Sequence, residues 1–183
     1  MKVLAALLLA FGILHSNPAC AQSELETVSE LDIKLFAGLW FEVASYPAPF
    51  QSPDCSGTTA SYTFNPNGEV KVWNQCYLTQ KRKLETIEGR AWVPNPLEPG
   101  KLKVSFFAPL SADYWVIALD SAYRYAVIGH PSRKFLWILS RSPEMDEQTY
   151  SVILERVATK GYDLAKIRRT PSLAQALFHQ KFY

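Results

Sequence analysis

The chain has 183 residues, a length that suits one domain with a sizeable core, and no low-complexity run, linker or internal repeat divides it. Its 19 lysines and arginines nearly balance 17 aspartates and glutamates, so the formal charge is only +2. That balance builds no field to steer the chain to nucleic acid, and the one short basic run, Lys81-Arg82-Lys83, reads first as a solvated loop.

Met1 to Ala21 reads as a targeting segment, with Lys2 as a one-charge head and Val3 to Leu14 as an apolar run. The run is too short to span a bilayer, which takes about 20 apolar residues. Ala19 and Ala21 place small residues where signal peptidase cuts, so the mature chain is expected to start at Gln22 and to be soluble in the periplasm. The rival is acylation of Cys20 as the first residue of a bacterial lipoprotein, held at the outer membrane. Asn17 and Pro18 stand where such a site wants an aliphatic and a small residue. Either route exports the chain and withdraws Cys20 from the free thiols. Two cysteines remain, Cys55 and Cys76, and an even count in an oxidising compartment favours a bridge between them.

Four runs with strand composition come first: Leu39 to Tyr46, Thr59 to Phe64, Glu69 to Tyr77 and Leu84 to Val93. Asn65-Pro66-Asn67-Gly68 is a tight-turn signal that folds the third back along the second and brings Cys76 towards the start of that strand. Four more follow, Lys101 to Phe107, Tyr114 to Leu119, Tyr123 to Gly129 and Phe135 to Ser140, punctuated by Pro109, Asp120, Pro131 and Pro143. Breaks this short force hairpins, because a parallel crossover needs a dozen residues or more. Eight antiparallel strands in hairpin order either close into an up-and-down barrel or split into a sandwich, and closure removes the exposed edges. Two of the late runs are apolar on both faces, which calls for cover inside and out. From Pro143 to Lys160 the period changes, and Tyr150, Ile153, Leu154 and Val157 fall at helical spacing ahead of Gly161. The fold expected is an all-β, eight-stranded antiparallel barrel with one C-terminal α-helix packed outside.

Three motifs then carry a resemblance. Gly38-Leu39-Trp40-Phe41-Glu42-Val43-Ala44, Val116 to Tyr125 (VIALDSAYRY) and Leu136 to Pro143 (LWILSRSP) are similar, in this order, to the three motifs of the lipocalin family. The likeness is to its bacterial outer-membrane branch related to apolipoprotein D, and it runs from about Leu35 to Asp163. Arg168 to Tyr183 does not align with that pattern. The resemblance implies a closed end made by Gly38 and Trp40 on the first strand, with Arg141 stacked over the indole. Guanidinium over indole is a cation–π contact worth about 1 kcal/mol or more when desolvated.

Parity from those anchors predicts the lumen, since side chains alternate along a strand. Trp40 inward puts Glu42, Ala44 and Tyr46 inward, and Arg141 inward does the same for Trp137 and Phe135. Elsewhere the apolar parity adds Tyr62, Phe64, Val72, Asn74, Val104, Phe106, Tyr114, Val116, Tyr125 and Val127. An aromatic wall with a few polar tips suits an elongated apolar guest with a polar head, and a fatty acid or lysophospholipid is the expected partner. The open end should carry a proline-stiffened loop, Tyr46 to Gly57, and Lys81, Arg82 and Lys83 should stand at the same rim, either as contacts for an anionic head or as solvated charges.

No cofactor, metal site or catalytic constellation is expected. His130 and His179 belong to no ligand or triad pattern, no glycine-rich phosphate loop is present, and Asp113 or Glu42 alone reads as a local hydrogen-bonding group. Two other readings stay open: an enzyme of the same fold using a lumen thiol, and a structural or stress-associated envelope protein with an empty barrel.

Overall fold

A computed structural model describes residues 23–182, with side chains described as far as residue 178. The targeting segment and Cys20 lie outside the described residues. A short helix α1 (Ile33–Phe36) precedes eight strands: β1 (Gly38–Ser45), β2 (Cys55–Phe64), β3 (Val70–Leu78), β4 (Lys83–Trp92), β5 (Lys101–Phe107), β6 (Leu110–Leu119), β7 (Tyr125–Gly129) and β8 (Leu136–Ser140). Helix α2 (Glu147–Thr159), a 3₁₀ turn (Leu164–Lys166), a two-residue strand β9 (Arg168–Arg169) and helix α3 (Leu173–Phe182) follow. Each strand from β2 to β7 pairs antiparallel with the next, β8 pairs with β1, and β1 pairs back onto β2, so the barrel closes.

The inner apolar core holds Trp40, Ala60, Tyr62, Val72, Ala91, Leu102, Val116, Ala126, Ile128 and Leu139, with Phe36 of α1 pushed up into it. The outer core lies under α2, where Tyr150, Ile153 and Val157 cover Val43, Ala44, Ile117, Tyr125, Val127, Leu136 and Ile138. Full burial of an aliphatic side chain of this size contributes about 1.5–3 kcal/mol, so the helix stripe read from the sequence anchors α2 to the barrel. Asp146 caps the helix by accepting from Thr149 N at 2.8 Å.

Two pairs of expected lumen residues face outward instead. On β1 the register to β8 shifts between Glu42↔Leu139 and Ala44↔Ile138, so two residues of β1 oppose one of β8. This β-bulge turns Val43 and Ala44 to the same outer face, restores inward parity at Ser45, and sends Tyr46 outward. Tyr46 donates to Asp163 O at 2.8 Å and lines an outer cleft of about 350 Å³ with Arg133 and Asp163. On β7, Tyr125 and Val127 lie under α2 while Ala126 and Ile128 face in. All five residues of β7 are buried and apolar or glycine, so alternation there carried no polar mark to set the phase.

The barrel wall is thin at one seam. β1 pairs with β2 only over Gly38 to Phe41, and beyond that β9 lies against Ala44 and Ser45 in its place. Thr170 N donates to Val43 O at 2.9 Å and Gly57 N to Pro171 O at 2.7 Å, so the tail bridges β1 and β2 as a strap. Gly57 sits at φ +58°, and a Cβ there would lie 2.8 Å from Leu173 Cβ, which leaves glycine as the residue that lets the tail approach. Ala176 buries α3 against β2. The tail that did not align with the family pattern is therefore part of the wall.

Candidate functional site

The closed end is built by α1, the start of β1 and the end of β8. Asp32 caps α1, accepting from Lys34 N at 2.8 Å and Leu35 N at 3.3 Å, and this turn delivers Phe36 to the barrel axis. Phe36 packs 5.1 Å from Trp40 and 5.4 Å from Tyr62 between ring centroids. Arg141 lies 3.8 Å above the Trp40 ring. Its Nη1 donates to Leu39 O at 2.8 Å, and its Nη2 to Leu35 O and Ala37 O, both at 2.8 Å, and to Phe36 O at 3.2 Å. Burial pushes the Arg141 pKa down from its ordinary value, although guanidinium keeps its charge throughout the working range. Gly38, at φ +99°, leaves 3.2 Å between a would-be Cβ and Arg141 Nη1. Trp40 Nε1 donates to Phe36 O at 2.8 Å, so indole and guanidinium share one carbonyl. Sequence reasoning missed Phe36, for which the Asp32 cap ahead of Ile-Lys-Leu-Phe was the available signal.

Beside the floor, the β6–β7 turn is held by Asp120, which accepts from Arg124 Nε at 2.9 Å, Arg124 Nη2 at 2.8 Å and Ala122 N at 3.0 Å. The Arg124 guanidinium holds the Asp120 carboxyl down at about 2, below its ordinary 3.8. A depressed folded pKa stabilises the fold above the unfolded pKa, and that contribution is lost as pH falls from about 4 towards 2. Since Arg124 is largely exposed, solvent screening reduces the contribution to about 1–2 kcal/mol. Asp120→Asn should lower the urea midpoint at pH 7, and the difference from wild type should shrink near pH 2.5. An unchanged difference at both pH values would show that the carboxylate charge is not what matters.

Above the floor, Tyr62 and Tyr114 meet across the lumen with hydroxyls 2.7 Å apart. Burial pushes Tyr62 up to about 12 and Tyr114 well above its ordinary value, so this rung is neutral. Phe64, Val104 and Phe106 pack against the inner core. Asn74 pairs in register with the inward Ala60, and its Oδ1 is buried without a hydrogen-bond partner. Higher still, Phe135 and Trp137 stack at 6.1 Å with ring planes 11° apart, and Phe50 of the β1–β2 loop stands 5.6 Å from Phe135.

Glu42 keeps its inward position and is 8% exposed. Its Oε1 accepts from Ser45 Oγ at 2.8 Å, Gln51 Nε2 at 3.2 Å and Thr170 Oγ1 at 2.5 Å, and its Oε2 from Gln51 Nε2 at 3.0 Å. Gln51 Oε1 is also 3.5 Å from Trp137 Nε1. Ser45, Gln51 and Thr170 were not among the expected residues, because a bulge, a loop and the tail bring them there.

At the mouth, Cys55 and Cys76 form a disulfide between the start of β2 and the end of β3. Asp54 accepts from Gln80 N at 3.0 Å and from Thr79 Oγ1, tying the loop to the β3–β4 turn. Lys81 and Arg82 lie in that turn and Lys83 begins β4, all exposed at the rim. Among the described residues no group of three or more His, Cys, Asp or Glu side chains could hold a metal ion.

An eight-stranded up-and-down barrel plugged at one end is the architecture of barrels that hold one small ligand. The chain belongs to the lipocalin family, since residues 31–172 match the lipocalin-like domain. It is 40% identical over 158 residues to temperature-induced lipocalin-1 of Arabidopsis thaliana, covering 82% of this chain and 84% of that protein. It is 31% identical over 166 residues to the outer membrane lipoprotein Blc of Escherichia coli strain K12, covering 91% and 93%. The fold superposes on insecticyanin from the tobacco hornworm Manduca sexta with a TM-score of 0.67 at 24% identity, covering 84% and 88%.

Proposed function

We propose that this protein is an exported, non-catalytic carrier that holds a single-chain lipid, a fatty acid or a lysophospholipid, in the upper half of its barrel, for lipid transport or storage in the cell envelope. The observation that carries the reading is a gradient of accessibility along the inner face. Trp40 at the floor is fully buried, whereas Ile87, inward by register with Asn74, is 37% exposed, and Phe135 and Trp137 are only half-buried. Pairing of β4 with β5 stops at Arg90↔Ser105, so the half of β4 nearer the mouth stands free of its neighbour and leaves the inner wall at Ile87, with Glu85 and Lys83 above it, open to a guest. The thiol-enzyme reading loses its nucleophile, because Cys55 and Cys76 are joined to each other.

Ten buried methylenes contribute on the order of 8 kcal/mol before association costs, so micromolar affinity needs no ion pair. Titration with lysophospholipid should quench or blue-shift the emission of Trp137, and Trp137→Phe should remove most of the response while keeping the fold. Charge reversal at Lys81, Arg82 and Lys83 should weaken anionic lipids only modestly, since salt screens rim charges. Unchanged emission together with no lipid uptake in equilibrium dialysis would sink the carrier and favour the empty barrel.

Export is supported by the targeting segment and by the likeness to an outer membrane lipoprotein. Intact mass of the exported protein should show a chain beginning at Gln22. A diacyl or triacyl mass on an N-terminal Cys20 would instead place the protein on the membrane.

A further inference from the structure

The carboxylate of Glu42 lies inside the barrel with only neutral donors around it: Ser45, Gln51 and Thr170. Among the described residues no lysine, arginine or histidine comes within ion-pair distance of it, and the nearby arginines of β9 are engaged elsewhere. Arg169 pairs with Glu147 at 2.6 Å and covers the Tyr150 ring on the outer face, and Arg168 donates to Ala165 O and Ile167 O. A buried charge without a counter-ion is costly, and a guest of opposite sign would supply one. Oε2 accepts a single hydrogen bond, so the carboxylate keeps free lone pairs.

A second, independent observation points to the same kind of guest. Gln51 bridges from Glu42 to Trp137, whose ring stacks on Phe135, and Phe50 stands 6.3 Å from Trp137 and is 70% exposed. Among the described residues no lysine or arginine lies over these three rings, whereas Trp40, Trp73, Trp92 and Trp115 each carry one. The His130 ring meets Phe135 edge-on at 5.6 Å, and the aromatic cluster is otherwise built of rings alone. A buried carboxylate beside an aromatic cluster is the chemistry that recognises quaternary ammonium, through charge on one side and ring quadrupoles on the other. Asn74 Oδ1, buried and unpartnered on β3, offers an acceptor for a hydroxyl of the same guest.

We infer that Glu42, Gln51, Trp137, Phe135 and Phe50 form a subsite for an organic cation, so that the preferred guest is a single-chain lipid with a trimethylammonium head. The inference rests on the carrier reading and sharpens it. The apolar chain lies along the open inner wall that includes Ile87 and Phe106, and the head lies under the β1–β2 loop.

The test uses two amphiphiles of equal chain length below their micelle-forming concentrations, dodecyltrimethylammonium and dodecanoate, with free choline as a third arm. Equilibrium dialysis of the mature protein should show the ammonium bound about tenfold more tightly than the carboxylate, and free choline bound weakly. Glu42→Gln keeps the size of the side chain and an acceptor for Thr170. It should abolish the preference by weakening the ammonium about tenfold while leaving dodecanoate equal or tighter. Should Glu42→Gln fail to fold, the double variant Phe50→Leu and Phe135→Leu keeps the carboxylate and should weaken the ammonium by about threefold to tenfold more than it weakens dodecanoate. Equal affinities for both amphiphiles in wild type, or equal losses in the variants, would overturn the cation subsite and leave the carrier standing. Binding of neither amphiphile would instead remove the carrier itself. Choline bound as tightly as the ammonium amphiphile would overturn the lipid guest in favour of a small amine.

Discussion

Arg141→Met is expected to lower the free energy of unfolding by about 3 kcal/mol or more, among the largest effects of any single substitution in this protein. The guanidinium is the common partner of four carbonyls, those of Leu35, Phe36, Ala37 and Leu39, all in the turn that carries α1 into β1. Methionine fills the volume of the stem but takes the guanidinium donors from those oxygens, leaving Phe36 O only its bond from the Trp40 indole, and it gives up the contact over the Trp40 ring. The loss spreads beyond one residue because Phe36, held by the same turn, closes the bottom of the inner core. Arg141→Lys should recover less than half of the loss, since a compact ammonium cannot bond four converging carbonyls and cover an indole together. Trp40→Phe removes the indole donor to Phe36 O, and combined with Arg141→Met it should cost less than the sum of the two, because both act on the same turn. Urea midpoints at constant slope measure all of this. A lysine variant as stable as wild type would show that positive charge alone, and not the planar fork, secures the floor.

The barrel was legible in the sequence because short breaks force hairpins, and its floor because Gly38-Leu39-Trp40 and Arg141 fall in motifs that resemble those of the lipocalin family. Period two points Trp137, Tyr62, Val72, Val104 and Tyr114 inward, and these side chains lie in or against the inner core, each on a strand where polar and apolar positions alternate or an anchor sets the phase. It failed where the backbone breaks the count. On β1 one extra residue between Glu42 and Ala44 turns Ala44 and Tyr46 to the outer face, and nothing in Glu-Val-Ala-Ser announces a bulge. On β7 both faces are apolar because α2 covers the outside, so Tyr125 and Val127 could not be told from Ala126 and Ile128. The neighbours of Glu42 were out of reach for a different reason. Thr170 is 128 residues away along the chain, and its approach depends on the short pairing of β1 with β2 and on Gly57 admitting the tail.

Replacing both Cys55 and Cys76 by alanine is expected to cost about 3 kcal/mol, which for a protein of this size lowers the melting temperature by about 6–12 °C. The bridge spans 21 residues of sequence, so it restricts the unfolded chain by closing a loop of moderate length. In the native state it fastens the start of β2 to the end of β3 beside the mouth, where β2 has already parted from β1. Without it, this corner is held by Asp54 on Gln80 N and Thr79 Oγ1, by the β2–β3 ladder, and by Gly57 N on Pro171 O. Those bonds suffice to keep the fold at room temperature but not to keep the corner shut, because each can open to water singly. Amide exchange should therefore rise more at Cys55 to Gly57 and at Thr79 to Arg82 than in the inner core strands. The loop that carries Phe50 and Gln51 is rooted at Cys55, so the same loosening should speed release of a bound lipid while its association rate stays nearly unchanged. Equal melting temperatures for wild type and the double variant would mean that the noncovalent ties already fix this corner. Uniform acceleration of exchange across the barrel would mean that the bridge supports global stability without guarding the mouth.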